Sequence, residues 1–354
     1  MNARPKTPAL AEPSVEPASP DRPRRVGPQL RFAAAGAVAL ALFVGTYLVF
    51  VTTETGQRIE NLALQGAELR DVGQRQAAQD VLSLVTLALF VLAVAGVFLA
   101  GLVLRRPGLG FAAAAIMVLS LAAAELLKAL VGRPELVSGP AWILRNSFPS
   151  GTVTAASSMA VGVFLVAPIR LRWLLLPAGA LFAALVGHSV QASGWHRLSD
   201  TIAATTLVIG IACFVVALMA RMGLVQRSDG GLIDRRVSHL LLVGSAGVLL
   251  VAIMLLALPT AFPLLASPDG ARRAFLQTAF PLVGASLTVF LLTLFGLLVQ
   301  PFALGSGRGD SDRRAWRFRH DRAGTEGRAV AAIGPAGAPA DDTSAQRDSL
   351  DRPR

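Results

Sequence analysis

Three short polar clusters interrupt a long apolar stretch of this 354-residue chain: residues 128–134 read KALVGRP, residues 146–152 read NSFPSGT and residues 194–200 read GWHRLSD. Each cluster lies beside an apolar segment of about the length that crosses a membrane, for which roughly 20 residues are needed. Polar residues at the ends of such segments are the first place to look for binding or chemistry. The stretch 128–200 therefore predicts a helical membrane protein with polar sites at helix ends.

The composition supports this class of protein. Hydrophobic residues make up 53% of the chain and charged residues 16%, and the mean hydropathy is +0.58. These values are too apolar for a soluble chain of this length and favour an all-α, polytopic membrane bundle. We predict eight spans, at about 32–53, 80–104, 108–130, 152–169, 173–191, 200–220, 238–262 and 275–299.

The domain organisation follows from these spans. Residues 1–30 are rich in Pro, Ala, Arg and Glu and predict a disordered tail, and residues 301–354 predict a second, basic disordered tail. Residues 31–222 hold a core of six helices, and residues 237–300 hold two further membrane helices that form an accessory hairpin. The single cysteine, Cys213, excludes an internal disulfide.

The charge distribution predicts the orientation. With both termini in the cytoplasm, 24 of the 33 lysines and arginines lie on the inner side. The positive-inside rule favours that orientation, and the net charge of +11 then reflects membrane topology instead of a nucleic-acid partner. All three polar clusters fall on the outer face, so the sequence predicts a multi-pass protein of the plasma (inner) membrane with an outward-facing site.

Two of the clusters carry features that bind anions. Lys128 and Arg133 place two cations at the membrane surface. Ser150 and Gly151 follow a proline and begin a helix, and Thr152 comes next. The free backbone N–H groups of a helix N-terminus bind phosphate well. The first two clusters therefore predict a phosphate-binding site.

The third cluster adds a reactive group. His196 and Asp200 are four residues apart at the start of a helix, so they share a face and the carboxylate can orient the imidazole. Together with an anion site, an oriented histidine indicates phosphoryl transfer, with the histidine as nucleophile or base. Two possible ligands are too few for a closed metal site. We therefore expect no metal and no other cofactor.

The three clusters resemble the three motifs of the type 2 phosphatidic acid phosphatase (PAP2) superfamily. The resemblance covers about 75 residues, and the layout of the flanking spans agrees with it. It implies a six-helix membrane core, no metal and a covalent phosphohistidine intermediate. On this resemblance His196 is the nucleophile and Asp200 orients it. The resemblance also implies that the phosphoryl oxygens are bound by Lys128, Arg133, Ser150 and the Gly151 amide.

The motifs depart from the family pattern at three positions. Glu135 stands where the first motif has its arginine, so Arg133 replaces it in a shifted register. Thr152 stands where the second motif has a histidine that protonates the leaving group, and Val190 replaces an arginine of the third motif. Loss of a general acid typically costs about 10²–10⁴-fold in rate. The loss matters least for a weakly basic leaving group, and this favours a diphosphate substrate.

The sequence is consistent with two functions. The first is a lipid phosphatase that hydrolyses a phosphorylated amphiphile, of the prenyl diphosphate or phosphatidic acid type. In this reading His188, near the outer end of its span, could supply the missing acid. The second is a catalytically impaired relative that binds a phosphorylated lipid or a membrane partner. Retention of His196 and Asp200 favours the first, and Thr152 and Val190 favour the second.

Overall fold

The computed structural model describes residues 27–227, 235–261 and 269–304, and the chain in these ranges is almost entirely helical. The α-helices are α1 (Pro28–Thr46), α2 (Glu54–Gly66), α3 (Val72–Ser83), α4 (Leu87–Val103), α5 (Pro107–Leu130), α6 (Ala141–Leu144), α7 (Gly151–Val166), α8 (Arg172–Ala192), α9 (Leu198–Arg221), α10 (Arg235–Ala261) and α11 (Asp269–Val299). Two short strands, β1 (Val225–Arg227) and β2 (Phe302–Leu304), pair antiparallel.

Five helical segments are long and apolar enough to cross a membrane: Pro28–Val51, Pro107–Leu130, Ile169–Ala192, Leu198–Arg221 and Phe275–Val299. The pair α3 and α4 adds a sixth if it is counted as one bent span. The described chain is therefore an all-α, multi-pass membrane protein. The first segment includes a π-helical turn after α1, and the third begins with a 3-10 turn before α8.

Three of the eight predicted spans have no counterpart among these five segments. The span predicted at 80–104 is divided by a bend of 41°, because Thr86 Oγ1 accepts a hydrogen bond from the Leu89 N–H and starts a new helix. The span predicted at 152–169 ends at Val166, since Pro168 disfavours helix in the residue before it. In the span predicted at 238–262, the apolar segment His239–Met254 lies within α10 and is, like α7, shorter than those five segments.

Helix α9 lies at the centre of the bundle and packs against α1, α5, α7 and α11. Two thirds of its apolar window is buried (67%), the largest share among the five segments. Small side chains on α9, such as Ala203, Ala204 and Ala212, are fully buried and allow neighbouring helices to approach closely. Cys213 is buried among them as a packing residue.

Helix α11 is part of the packed bundle. It lies against α8, α9 and α2, and α10 packs on it in turn. Leu276 and Phe280 of α11 share one buried cluster with Ala63 of α2 and Leu198 of α9. The accessory hairpin predicted at 237–300 is therefore joined to the core through its second helix. The predicted tails lie outside the described residues except at 27–30 and 301–304, where α1 and β2 are formed.

Candidate functional site

Hydrogen bonds join the three polar clusters of the sequence. The Asn146 side-chain amide donates to the backbone carbonyls of Lys128 (3.1 Å) and Val131 (2.7 Å), at the end of α5. The Ser150 N–H donates to the backbone carbonyl of Asp200 (3.1 Å), at the start of α9. The loop before α7 thus fixes the end of α5 and the start of α9 relative to each other.

His196 is oriented by a buried carboxylate. Its Nδ1 lies 3.2 Å from Oδ2 of Asp200, whose side chain is fully buried. The same oxygen accepts hydrogen bonds from the Ser147 hydroxyl (2.6 Å) and from the Arg197 backbone N–H (2.9 Å). Three donors therefore hold the carboxylate in place, and this arrangement leaves Nε2 of His196 available for chemistry.

His196 lines a pocket of about 280 Å³ together with the starts and ends of three other helices. The polar end of this His196 pocket is formed by Glu125 and Lys128 of α5 and by Gly151 and Thr152 of α7, and Thr86, the N-cap of α4, also lines the pocket. Four residues that the sequence predicts for the site thus meet in one pocket: Lys128, Gly151, Thr152 and His196.

The N-terminal turn of α7 forms one wall of the pocket. Ser150 is the N-cap, and its hydroxyl accepts the Val153 N–H (3.3 Å) while its carbonyl accepts the Thr154 N–H (3.0 Å). The N–H groups of Gly151 and Thr152 have no partner within a helix at these positions. Ser150 itself is fully buried, so it positions these amides.

The opposite side of the pocket is apolar apart from Thr86. Val85, Leu87 and Phe90, around the start of α4, line it together with Leu121 of α5. Leu87 is largely exposed on the outside of the bundle. The pocket therefore has one polar end and one apolar side.

Arg133 does not line the His196 pocket. Its guanidinium lies 3.5 Å from Oε2 of Glu60, and its side chain is only 3% exposed. The next residue, Pro134, accepts a hydrogen bond from the Gln57 side chain (2.6 Å). Helix α2 therefore holds the loop that carries Arg133, and its Glu60 carboxylate pairs with the Arg133 guanidinium.

Glu60 is a site residue that sequence reasoning missed. It is buried, and its carboxylate accepts hydrogen bonds from the Ser199 N–H (2.7 Å) and the Ser199 hydroxyl (2.9 Å). Burial, together with the nearby charge of Asp200, raises the pKa of Glu60 to about 7, while Arg133 and the hydrogen bonds from Ser199 oppose the shift. The spacing of Gln57, Glu60 and Asn61 on one helix face was the available signal.

Arg197 is also buried. Its guanidinium donates hydrogen bonds to Oδ1 of Asn61 and to the hydroxyl of Ser147, and it contacts the backbone carbonyl of Ile143. Burial lowers the pKa of Arg197, and nearby Arg133 lowers it further. Because its donors are used within the protein, Arg197 connects α2 and α6 to the start of α9.

His188 lies on α8, near α11. The groups that interact with its ring include the backbone of Pro281 in α11 and the charge of Arg70. His188 is not among the residues lining the His196 pocket. The structure thus does not bring His188 to the place where a missing acid would be needed. Val190 is fully buried in the core.

Among the described residues, no group of three or more His, Cys, Asp or Glu side chains is placed to hold a metal ion. Comparisons with protein-family models, with curated proteins and with solved structures returned no match for this chain. The chemistry of the site is therefore argued from its own geometry.

Proposed function

We propose that this protein is a membrane lipid phosphatase of the PAP2 type, hydrolysing a phosphate or diphosphate of an amphiphilic lipid. One observation carries the proposal. His196, oriented by the buried Asp200, lies in the same pocket as Lys128 and the N-terminal turn of α7. A nucleophile and an anion site in one pocket are the two parts that phosphoryl transfer requires.

The reaction proceeds in two displacements. Nε2 of His196 attacks phosphorus, the bond to the leaving oxygen breaks, and a phosphohistidine forms. Water then attacks this intermediate and releases orthophosphate. Asp200 keeps the proton on Nδ1, while Lys128 and the amides of Gly151 and Thr152 bind the phosphoryl oxygens.

The substrate class follows from the pocket. Its apolar side at the start of α4 receives the chain of an amphiphile, and its polar end receives the phosphate. Thr152 supplies no acid for the leaving group, and His188 faces α11. A diphosphate suits such a site better than a simple phosphate ester, because the lipid monophosphate that leaves from a diphosphate is a weaker base than an alkoxide and needs no acid to protonate it.

The membrane orientation is part of the proposal. The excess of lysine and arginine in the segments assigned to the inner side supports cytoplasmic termini and an outward-facing pocket in the plasma membrane. Reporter fusions at the C-terminus test this orientation. A reporter that is active only outside the cytoplasm must remain inactive there.

A second function is favoured by a specific contact. Arg133 is paired with Glu60, and Thr152 replaces the acid, so the pocket keeps fewer catalytic groups than a phosphatase of this type uses. Such a pocket fits a catalytically impaired relative that binds a phosphorylated lipid or a membrane partner.

Phosphate release by detergent-purified protein separates the two functions. We expect release from a prenyl diphosphate, slower release from phosphatidic acid, and a loss of roughly 10³-fold or more in His196→Ala. His239→Ala, which removes an exposed histidine of α10, is the matched control and retains the activity. Binding of either lipid without release of phosphate by the folded protein would establish the binding function instead.

A further inference from the structure

A carboxylate occupies the polar end of the His196 pocket. Glu125 lies one helical turn before Lys128 on α5, and its Oε1 is 2.8 Å from the Lys128 ammonium. The Glu125 side chain is 57% exposed, so it faces the space of the pocket and not the helix core. The cation expected to bind a phosphoryl group is thus already paired.

The same carboxylate lies over the N-terminal turn of α7. A Cβ built on Gly151 would stand 2.5 Å from Glu125 Oε1 and 3.4 Å from the Lys128 ammonium. A carboxylate at this end of a helix is stabilised by the helix dipole, as a phosphate is. Glu125 therefore lies where a phosphoryl group bound by Lys128 and Gly151 would lie.

No other arginine or lysine of the described residues lines this pocket. Arg133 is paired with Glu60, and the guanidinium of Arg197 is engaged by Asn61, Ser147 and Ile143. The carboxylate of Glu125 therefore cancels the charge of Lys128, and an entering phosphate meets a pocket without a net fixed cation. The Glu125 carboxylate repels the phosphate, and a second negative charge on the phosphate doubles this repulsion.

We propose that Glu125 is a specificity-determining residue of this pocket, whose carboxylate holds the phosphate position in the empty site and disfavours dianionic phosphate that carries no apolar chain. The proposal rests on the proposed function only in taking this pocket as a phosphate site. Because of the Glu125 charge, free orthophosphate binds weakly. A ligand with an apolar chain also contacts the residues at the start of α4, and these contacts offset the effect of that charge.

The effect of removing the charge can be estimated. Two unit charges about 6 Å apart in water interact strongly enough to change a binding constant about threefold. Removing the Glu125 charge is therefore expected to increase the affinity for a monoanion about threefold. A dianion has twice this interaction, so its expected gain is about tenfold.

The experiment measures binding of orthophosphate and of dimethyl phosphate by calorimetry at about pH 8, where orthophosphate is a dianion. The variants are Glu125→Gln, Lys128→Gln and the control Glu54→Gln, which changes an exposed glutamate paired with Arg58 on α2. We expect Glu125→Gln to bind orthophosphate about tenfold and dimethyl phosphate about threefold more tightly. Glu54→Gln should match the unmodified protein, and Lys128→Gln should bind neither.

Three other results overturn the proposal. If Glu125→Gln binds orthophosphate as the unmodified protein does, or more weakly, and Lys128→Gln does not bind it, then Glu125 does not set the specificity. The proposed function is not affected by this result. Equal gains for the two ligands show that Glu125 acts by occupying Lys128 and not by repelling the ligand in proportion to its charge. Absence of orthophosphate binding in every variant, Glu125→Gln included, removes the phosphate site and the proposed function with it.

Discussion

Replacing Glu60 with glutamine is expected to remove a pH dependence from the stability of this protein. Glu60 lies on α2, outside the membrane-spanning segments, and its side chain is completely buried against Ser199 and Arg133. Glutamine has nearly the same shape, and its carbonyl can still accept the Ser199 N–H. The substitution therefore changes the titration of this position with little change in packing.

The magnitude follows from the pKa of Glu60, which burial raises from 4.5 to about 7. Between these two values the folded protein binds a proton that the unfolded chain has released. The stabilisation is therefore fully present below about pH 4.5 and is lost as the pH rises through about 7. A shift of this size corresponds to a difference of about 3 kcal/mol in the free energy of unfolding across that window.

The assay is unfolding in mild detergent, by heat or by denaturant, at several values between about pH 4.5 and 8. The unmodified protein should become less stable with rising pH, and Glu60→Gln should show a flatter profile. Glu54→Gln, an exposed position on the same helix, is the control and should follow the unmodified protein. All other titratable groups are the same in the unmodified protein and in Glu60→Gln, so a difference between these two profiles belongs to Glu60. Identical slopes for Glu60→Gln and the unmodified protein would refute the reasoning.

Four further predictions concern packing, capping and catalysis. In thermal unfolding, Gly101→Ala should destabilise the protein by about 1–3 kcal/mol, because the new Cβ would lie 2.4 Å from the Gly110 Cα where α4 crosses α5. The control is Gly96→Ala on the same helix, whose Cβ meets no atom within 4 Å and which should be neutral or stabilising. Ser150→Ala removes the hydroxyl that caps α7 and should cost about 1 kcal/mol in the same assay; an unchanged melting temperature would contradict the capping role. Asp200→Asn should lower the rate of phosphate release by roughly 10²–10⁴-fold while substrate binding persists, and a full rate would exclude its orienting role. His188→Ala should retain phosphate release because His188 does not line the His196 pocket, and a large loss would return His188 to the site.

The positions of the polar groups show where prediction from sequence succeeds and where it fails. The contact between His196 and Asp200 follows from a spacing of four residues at a helix start, which is a local property. The contact between Glu60 and Ser199 joins residues 139 positions apart, and no local pattern indicates it. Sequence reasoning placed Arg133 beside Lys128 because the two are close in the chain, but the fold turns Arg133 towards α2.

The sequence by itself determined the class of this protein and the sites of its polar clusters. Apolar segments of about 20 residues must form helices in a membrane, since their backbone groups have no other partners there. Only the tertiary structure decided which charges share a pocket. The polar face of α2 is buried against the start of α9, so Glu60 and Asn61 engage Arg133 and Arg197. Lys128 and Glu125 remain with His196, because a side chain's partners depend on how distant helices pack.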